Sequence, residues 1–410
     1  MTPPEAQLSL EDIRVAAGRL EGKLHRTPFE RSVTFSQLSG RDVWLKCENL
    51  QRTGSFKIRG AMNKILSLTE AERKRGVIAA SAGNHAQGVA LGASLLGVRA
   101  TIVMPKGAPL AKVEATRDYG AQVILYGDFY DEAYKHAQEW RDRTGAVFIH
   151  AFDDPLVIAG QGTLGLEMLE QMDPIGAFDG IVLPIGGGGL AGGLALAVKS
   201  LAPQVRIVGV QAESAPAMAL SKELHTHTVV ACKATIADGI AVACPGDVTF
   251  GLIERLVDEV VTVNDESIAK AVTLLLERAK LVVEGSGVVG LAALLEERAG
   301  QRGERWAALL SGGNIDISAI ARIIEHGLVE SGRRWEFRTT LPDHPGALQR
   351  LLSEVAQGGA NIISVIHDRL RPGLSLSQAE VIIALETRDQ AHIEQLKAQL
   401  VARGFGIVDV

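Results

Sequence analysis

The sequence predicts an α/β fold built on a largely parallel sheet, followed by a smaller unit of order βαββαβ. Three observations predict it. Short β-branched runs alternate with helical patterns from about residue 40 onward, small-residue turns follow several of those runs, and the pattern changes near residue 330. In chain order, Val43-Trp44-Leu45-Lys46, Val77-Ile78-Ala79-Ala80, Thr101-Ile102-Val103-Met104 and Gln122-Val123-Ile124-Leu125 read as strands. They are almost wholly apolar, as strands of a sheet covered on both faces must be. Ala86, Val89, Ala90, Ala93 and Leu96 recur at helical spacing between them, an apolar stripe facing a sheet. Ile181-Val182-Leu183, the run Arg206 to Val210 and the run Trp306 to Leu310 repeat the theme.

Glu330-Ser331-Gly332-Arg333-Arg334 is short and polar and reads as a linker. Beyond it come a strand over 335–341, a helix over 346–357, strands over 362–370 and 379–386 around Arg371-Pro372-Gly373, a helix over 390–403 and a strand over 406–410. That order is the ferredoxin-like split βαβ motif. The expected domains are therefore 1–330 and 331–410.

Composition narrows the function. The chain has 410 residues, 47% hydrophobic and 22% charged, which excludes a disordered protein and fits two to three domains. Its net charge of −6 and aromatic content of 4% argue against a nucleic-acid partner. Cys47, Cys232 and Cys244 are odd in number and form no C-x-x-C pair, so no disulfide framework is expected. Met1 to Asp12 lacks the basic and apolar regions of a signal peptide. Gly180 to Val198 is uncharged, but its seven glycines and Pro184 fit a strand, a loop and a helix better than a membrane span. A cytoplasmic protein without membrane attachment is expected.

The glycines carry the first functional signal. Gly186-Gly187-Gly188-Gly189-Leu190 lies between a strand and a helix, where residues without Cβ let backbone N–H groups crowd around one anion. A phosphate is the expected anion. No Gly-Lys-Ser/Thr follows, so this is not a Walker A loop. Gly187, Gly189 and Gly192 do spell G-x-G-x-x-G, with Glu213 about twenty residues on. This segment alone also fits a dinucleotide site, and glycines kept only for tight packing are the alternative reading.

Three further turns bear on the choice. In Thr53-Gly54-Ser55-Phe56-Lys57-Ile58-Arg59-Gly60, one lysine flanked by apolar residues opens a helix, a setting that disfavours the ammonium form and favours a nucleophilic amine. Ser81-Ala82-Gly83-Asn84-His85-Ala86-Gln87-Gly88 offers backbone N–H groups and the Asn84 amide to a carboxylate. His85 sits in a helix's first turn, a place where histidines are more often structural than catalytic. Ser311-Gly312-Gly313-Asn314 follows the run Trp306 to Leu310. In a parallel sheet such turns gather at one edge, where ligands bind.

Taken in order, these four segments resemble the fold-type II pyridoxal-phosphate enzymes, specifically the threonine dehydratase branch, over essentially the whole chain. Ala237-Asp238-Gly239-Ile240 and Val283-Glu284-Gly285-Ser286-Gly287 are similar to dehydratase segments as well. The tail resembles an ACT domain, with Asp343-His344-Pro345-Gly346-Ala347-Leu348 as its recognisable stretch. The resemblance implies a two-lobed catalytic domain, with the smaller lobe at about 50–150, and a regulatory tail that binds a small amino acid such as isoleucine or valine. It further implies a homo-oligomer, tetramer or dimer.

Carried over residue by residue, the resemblance makes Lys57 the residue that holds pyridoxal phosphate covalently and then acts as base. Gly186, Gly187, Gly188, Gly189 and Leu190 would bind the phosphate, Asn84 the ring's 3′ oxygen, and Ser311 would face the pyridine nitrogen. Phe56 would pack near the ring, and Ser81, Ala82, Gly83, Asn84 and His85 would bind the substrate carboxylate. A hydroxyl at Ser311 leaves the ring nitrogen largely neutral, which favours β-elimination over a long-lived carbanion. The implied reaction converts L-threonine to 2-oxobutanoate and ammonia, and L-serine to pyruvate. Some family members bind a monovalent or divalent cation near the position of Glu213, but this segment supplies one carboxylate where a hard divalent ion prefers several oxygens. Serine racemase and hydroxyaspartate dehydratase are neighbouring readings on the same fold. A dinucleotide-dependent oxidoreductase and a non-catalytic amino-acid sensor are more remote.

Overall fold

The computed structural model describes residues 8–410. The N-terminal stretch read for targeting signals lies outside the described residues as far as Gln7. The chain forms two compact units, one ending at Asp316 and one running from Ile317 to Val410.

The first unit contains strands β1 (Phe29–Arg31), β2 (Asp42–Cys47), β3 (Val77–Ala80), β4 (Ala100–Met104), β5 (Gln122–Leu125), β6 (Val147–Phe148), β7 (Gly180–Pro184), β8 (Arg206–Ala212), β9 (Glu259–Val263) and β10 (Arg305–Leu310). They make two sheets. The smaller has the order β5-β4-β3-β6 and is parallel throughout. The larger has the order β1-β2-β10-β7-β8-β9 and is parallel except where β1 pairs with β2. The expected α/β class is borne out, and every anticipated strand is present. Of the strands not anticipated, β1 and β6 are too short to show a period, whereas the run Val260-Val261-Thr262-Val263 makes β9 legible.

Each lobe closes over its own core. Ile181, Leu183, Ile207 and Leu309 pack with Leu164, Leu190 and Leu194 in the larger lobe, and Val77, Ala79, Ile102 and Met104 with Ala86, Val89 and Ala90 in the smaller. At about 25 cal/mol per Å² of apolar surface buried, these clusters dominate the folding energy. The uncharged stretch Gly180–Val198 forms β7, a loop and most of the helix Gly189–Leu201. No helix among the described residues is long and apolar enough to cross a membrane.

The second unit begins with the helix Ile317–Glu330 and continues with β11 (Arg334–Pro342), the helix Ala347–Gln357, β12 (Asn361–Asp368), β13 (Gln378–Glu386), the helix Gln390–Ala402 and β14 (Val408–Asp409). Its antiparallel sheet has the order β12-β13-β11-β14. Trp335, Phe337, Thr339 and Leu341 alternate inward along β11. Leu351 and Val355 from one helix and Ile393, Leu396 and Leu400 from the other complete one core with Phe337, Val381 and Ile383. The βαββαβ order read from the sequence is thus the order observed.

Candidate active site

The carboxyl ends of β3, β7 and β10 each deliver a small-residue turn, and the three turns meet at one cavity of about 700 Å³. Phe56, Lys57, Ser81 to His85, Gly186 to Leu190 and Ser311 all line it. Every residue that the sequence nominated for cofactor or substrate is therefore at one place. Glu213 is the exception: it is exposed just past β8 and does not line the cavity. That removes the acid a dinucleotide ribose would need. Among the described residues no three His, Cys, Asp or Glu side chains are grouped to hold a metal ion.

Lys57 is the first residue of the helix Lys57–Leu66. The loop before it is stitched to the Ser311 turn, since the Phe56 N–H donates to the Ser311 carbonyl at 3.1 Å and the Gly313 N–H to the Gly54 carbonyl at 2.8 Å. The Lys57 Nζ donates to the Ala151 carbonyl at 3.0 Å and lies 5.3 Å from the Phe56 ring centroid. Burial lowers its pKa to about 8, against the opposing pull of Glu284. The amine thus gives up its proton far more readily than an ordinary lysine and is free base above about pH 8, as a nucleophilic lysine requires. Beneath the helix, Arg59 donates to both oxygens of Glu48 at 2.7 Å and to Glu167 at 2.9 Å. The buried Lys46 also pairs with Glu167, so two cations and two carboxylates balance there.

The glycine loop fits a phosphate. Gly188 adopts φ +97°, open to glycine at little cost. A Cβ at Gly187 would fall 2.4 Å from the Phe152 ring. Among the described residues, the N–H groups of Gly186, Gly187 and Gly188 donate to no protein acceptor. Donors left without partners at a helix N-terminus are the physical signature of an anion site. The Thr249 hydroxyl, donating to the Gly187 carbonyl at 2.6 Å, holds the loop from behind.

The turn after β3 is built differently. The Asn84 Nδ2 donates to Glu284 Oε1 at 2.6 Å, and Asn84 Oδ1 accepts from Asn314 Nδ2 at 2.7 Å. The His85 Nε2 is 2.9 Å from the Ile149 carbonyl, which fixes that nitrogen as the donor and leaves Nδ1 buried without a partner. Burial, then the Lys57 charge, lower the His85 pKa to about 3 against that hydrogen bond. His85 is therefore a neutral wall residue over the working pH range.

Sequence reasoning did not nominate Glu284, His150, Ala151 or Phe152, all of which line the cavity. Glu284 had a readable signal, since it is the one carboxylate heading the otherwise apolar helix Gly285–Leu295. The loop after β6 had none. There His150 Nδ1 accepts from the Asp153 N–H at 2.7 Å and so sets the curve that presents the Ala151 carbonyl to Lys57.

These features define an α/β enzyme with a buried, weakly basic lysine beside an anion cradle, and the comparisons with known proteins agree. Residues 20–312 match the family described as pyridoxal-phosphate dependent enzyme, and the chain belongs to that family. An L-threonine ammonia-lyase of Thermotoga maritima is 50% identical over 400 residues, covering 98% of this chain and 99% of that relative. The solved structure of a T.th. threonine deaminase superposes with a TM-score of 0.72 at 43% identity, over 75% of this chain and 99% of that one. Maize serine racemase superposes with a TM-score of 0.73 at 36% identity, over 79% of this chain and 99% of that one.

Proposed function

We propose that the protein is an ammonia-lyase that converts L-threonine to 2-oxobutanoate and ammonia, and L-serine to pyruvate. The observation that carries this reading is the Lys57 amine, held by the Ala151 carbonyl in the cavity that also contains the unpartnered loop amides and the Asn84 amide. In this reading the N–H groups of Gly186 to Leu190 hold the cofactor phosphate, Asn84 the ring oxygen and Phe56 a ring face, while Ser311 offers the pyridine nitrogen a hydroxyl rather than a carboxylate. When bound, pyridoxal phosphate supplies an electron sink for breaking the substrate's α-C–H bond. The turn Ser81 to His85 binds the substrate carboxylate through its backbone N–H groups. Lys57 Nζ accepts the α-proton as general base. The β-hydroxyl departs as water with the proton that Lys57 Nζ took up, and the enamine released takes water back to give the oxo acid and ammonia.

Attack on the cofactor needs the free amine, so covalent loading of the apoprotein is expected to quicken as pH rises through about 8 and to slow as the ammonium form takes over below it. Following the protein-bound absorbance after pyridoxal phosphate is added, across pH, checks the loading; measuring oxo acid and D-amino acid from the loaded protein with L-threonine or L-serine checks the reaction. The likeness to serine racemase supports racemisation as a second reading. D-serine exceeding pyruvate would favour it over the lyase.

We also place an amino-acid effector on the second unit, and read the protein as a homo-oligomer. The βαββαβ order supports the former. The family match ends at residue 312, so the second unit lies outside the part that it describes. Isoleucine or valine is expected to change the KM for threonine by about fivefold or more, a typical coupling between sites. Steady-state kinetics unmoved by either amino acid would contradict the regulatory role.

A further inference from the structure

Glu284 heads the helix Gly285–Leu295, is 6% exposed, and lines the cavity. Its backbone N–H donates to the Gly312 carbonyl at 3.0 Å, which binds it to the turn after β10. Gly312 leaves the space it occupies: a Cβ there would fall 2.4 Å from Glu284 Oε1 and 3.1 Å from Asn84 Nδ2.

The direction of every amide along this contact can be deduced. The Thr53 carbonyl can only accept, so the amide of Asn314, 2.6 Å away, must turn Nδ2 toward it. The same Nδ2 group reaches Asn84 Oδ1 at 2.7 Å, so Asn84 must present its oxygen on that side. Its Nδ2 then faces Glu284 Oε1 at 2.6 Å. A flipped Asn84 would set oxygen against carboxylate and N–H against N–H. One hydrogen of Asn84 Nδ2 is taken by Glu284, and the other is left for the cavity.

We propose that Glu284 is a positioning residue that, together with Asn314 on the other side, clamps the Asn84 amide in one direction and place, so that Asn84 offers a ligand only an N–H and selects an oxygen acceptor. The proposal rests on the reading of Asn84 as the contact to the cofactor's ring oxygen. The charged groups facing Glu284 are Asp238, Lys112 from the helix Leu110–Asp118, and Lys57; Asn84 is its hydrogen-bond donor. Burial and then Asp238 push its pKa up to about 7, against Asn84, Lys112 and Lys57. A protonated carboxyl accepts less strongly than a carboxylate, so the grip on Asn84 weakens as pH falls through about 7.

The test is a pyridoxal phosphate titration of the apoproteins of wild type, Glu284→Ala and Glu284→Gln, followed by fluorescence between about pH 6 and 8 to bracket the Glu284 transition. Glu284→Ala leaves the amide held only through its oxygen by Asn314, loosening the N–H side, and is expected to bind about tenfold more weakly at the upper pH, the effect of losing one charge-assisted hydrogen bond. Glu284→Gln keeps an acceptor oxygen and is expected to stay within about threefold of wild type, while losing the part of the pH dependence centred near 7. Equal affinities and pH profiles in all three proteins would overturn the proposal, as would Glu284→Gln binding as weakly as Glu284→Ala. If Glu284→Ala fails to fold by circular dichroism, the pH profile of Glu284→Gln against wild type decides. Wild-type protein that takes up no pyridoxal phosphate overturns the reading beneath the proposal. Binding by wild type with unaltered variants overturns the proposal alone.

Discussion

Lys57→Ala is expected to lower turnover of L-threonine by roughly 10⁴-fold or more, because in the proposed function one amine would serve both as covalent anchor and as base, and base catalysis alone contributes about 10²–10⁴. The fold should survive. Removing a buried ammonium relieves desolvation, and its partners are a backbone carbonyl and the more distant Glu284 charge. Steady-state kinetics with a thermal melt on the same sample separates the two effects. A variant that melts like wild type and keeps a tenth of its activity would remove Lys57 from the mechanism. A non-catalytic sensor would show a different pattern, with no turnover in wild type and ligand affinity unchanged in the variant.

The largest expected effect on stability lies two residues further along the same helix, at Arg59. Arg59→Met leaves Glu48 and Glu167 facing only Lys46, and Glu48 is fully buried. Breaking a buried pair by removing one partner costs about 3–5 kcal/mol, because the remaining charge stays out of water. Burial raises the Glu48 pKa, but Arg59, with Thr27 and Lys46, outweighs it and holds the carboxyl below its ordinary value. Its contribution to stability is therefore present above the ordinary carboxylate range and is lost as pH falls through the lowered value. Urea midpoints at neutral pH should show the loss in Arg59→Met and a substantial recovery in Arg59→Met/Glu48→Gln, which restores the charge balance. A single variant as stable as wild type would show that packing, not the ion network, holds the helix that carries Lys57.

How much of this was legible in the sequence follows from the range of the interactions involved. The turns after β3, β7 and β10 were readable because a parallel sheet needs small residues where strand passes to helix. Topology brings the turns after β7 and β10 to one edge of the larger sheet, whereas β3 belongs to the smaller sheet, and no local pattern told that its turn faces the same cavity. The second unit was readable because alternation along β11 and the helical spacing of Leu351 and Val355 are local patterns. What escaped were contacts across long sequence separations. The Ala151 carbonyl reaches Lys57 from 94 residues away, and Glu284 reaches Asn84 from 200. Neither leaves a periodic trace. Glu213 misled for the opposite reason: its spacing from the glycine loop matched a dinucleotide fingerprint, but its side chain is exposed beyond β8, outside the cavity.

The central claim is that Lys57 is the covalent attachment point for pyridoxal phosphate. Reducing the cofactor-loaded protein with borohydride, digesting it and sequencing the modified peptide by mass spectrometry tests that claim most directly. The account predicts one pyridoxyl phosphate group per chain, on Lys57, and none in Lys57→Ala. The label on any other lysine, or no label on a protein that still turns over threonine, would contradict it.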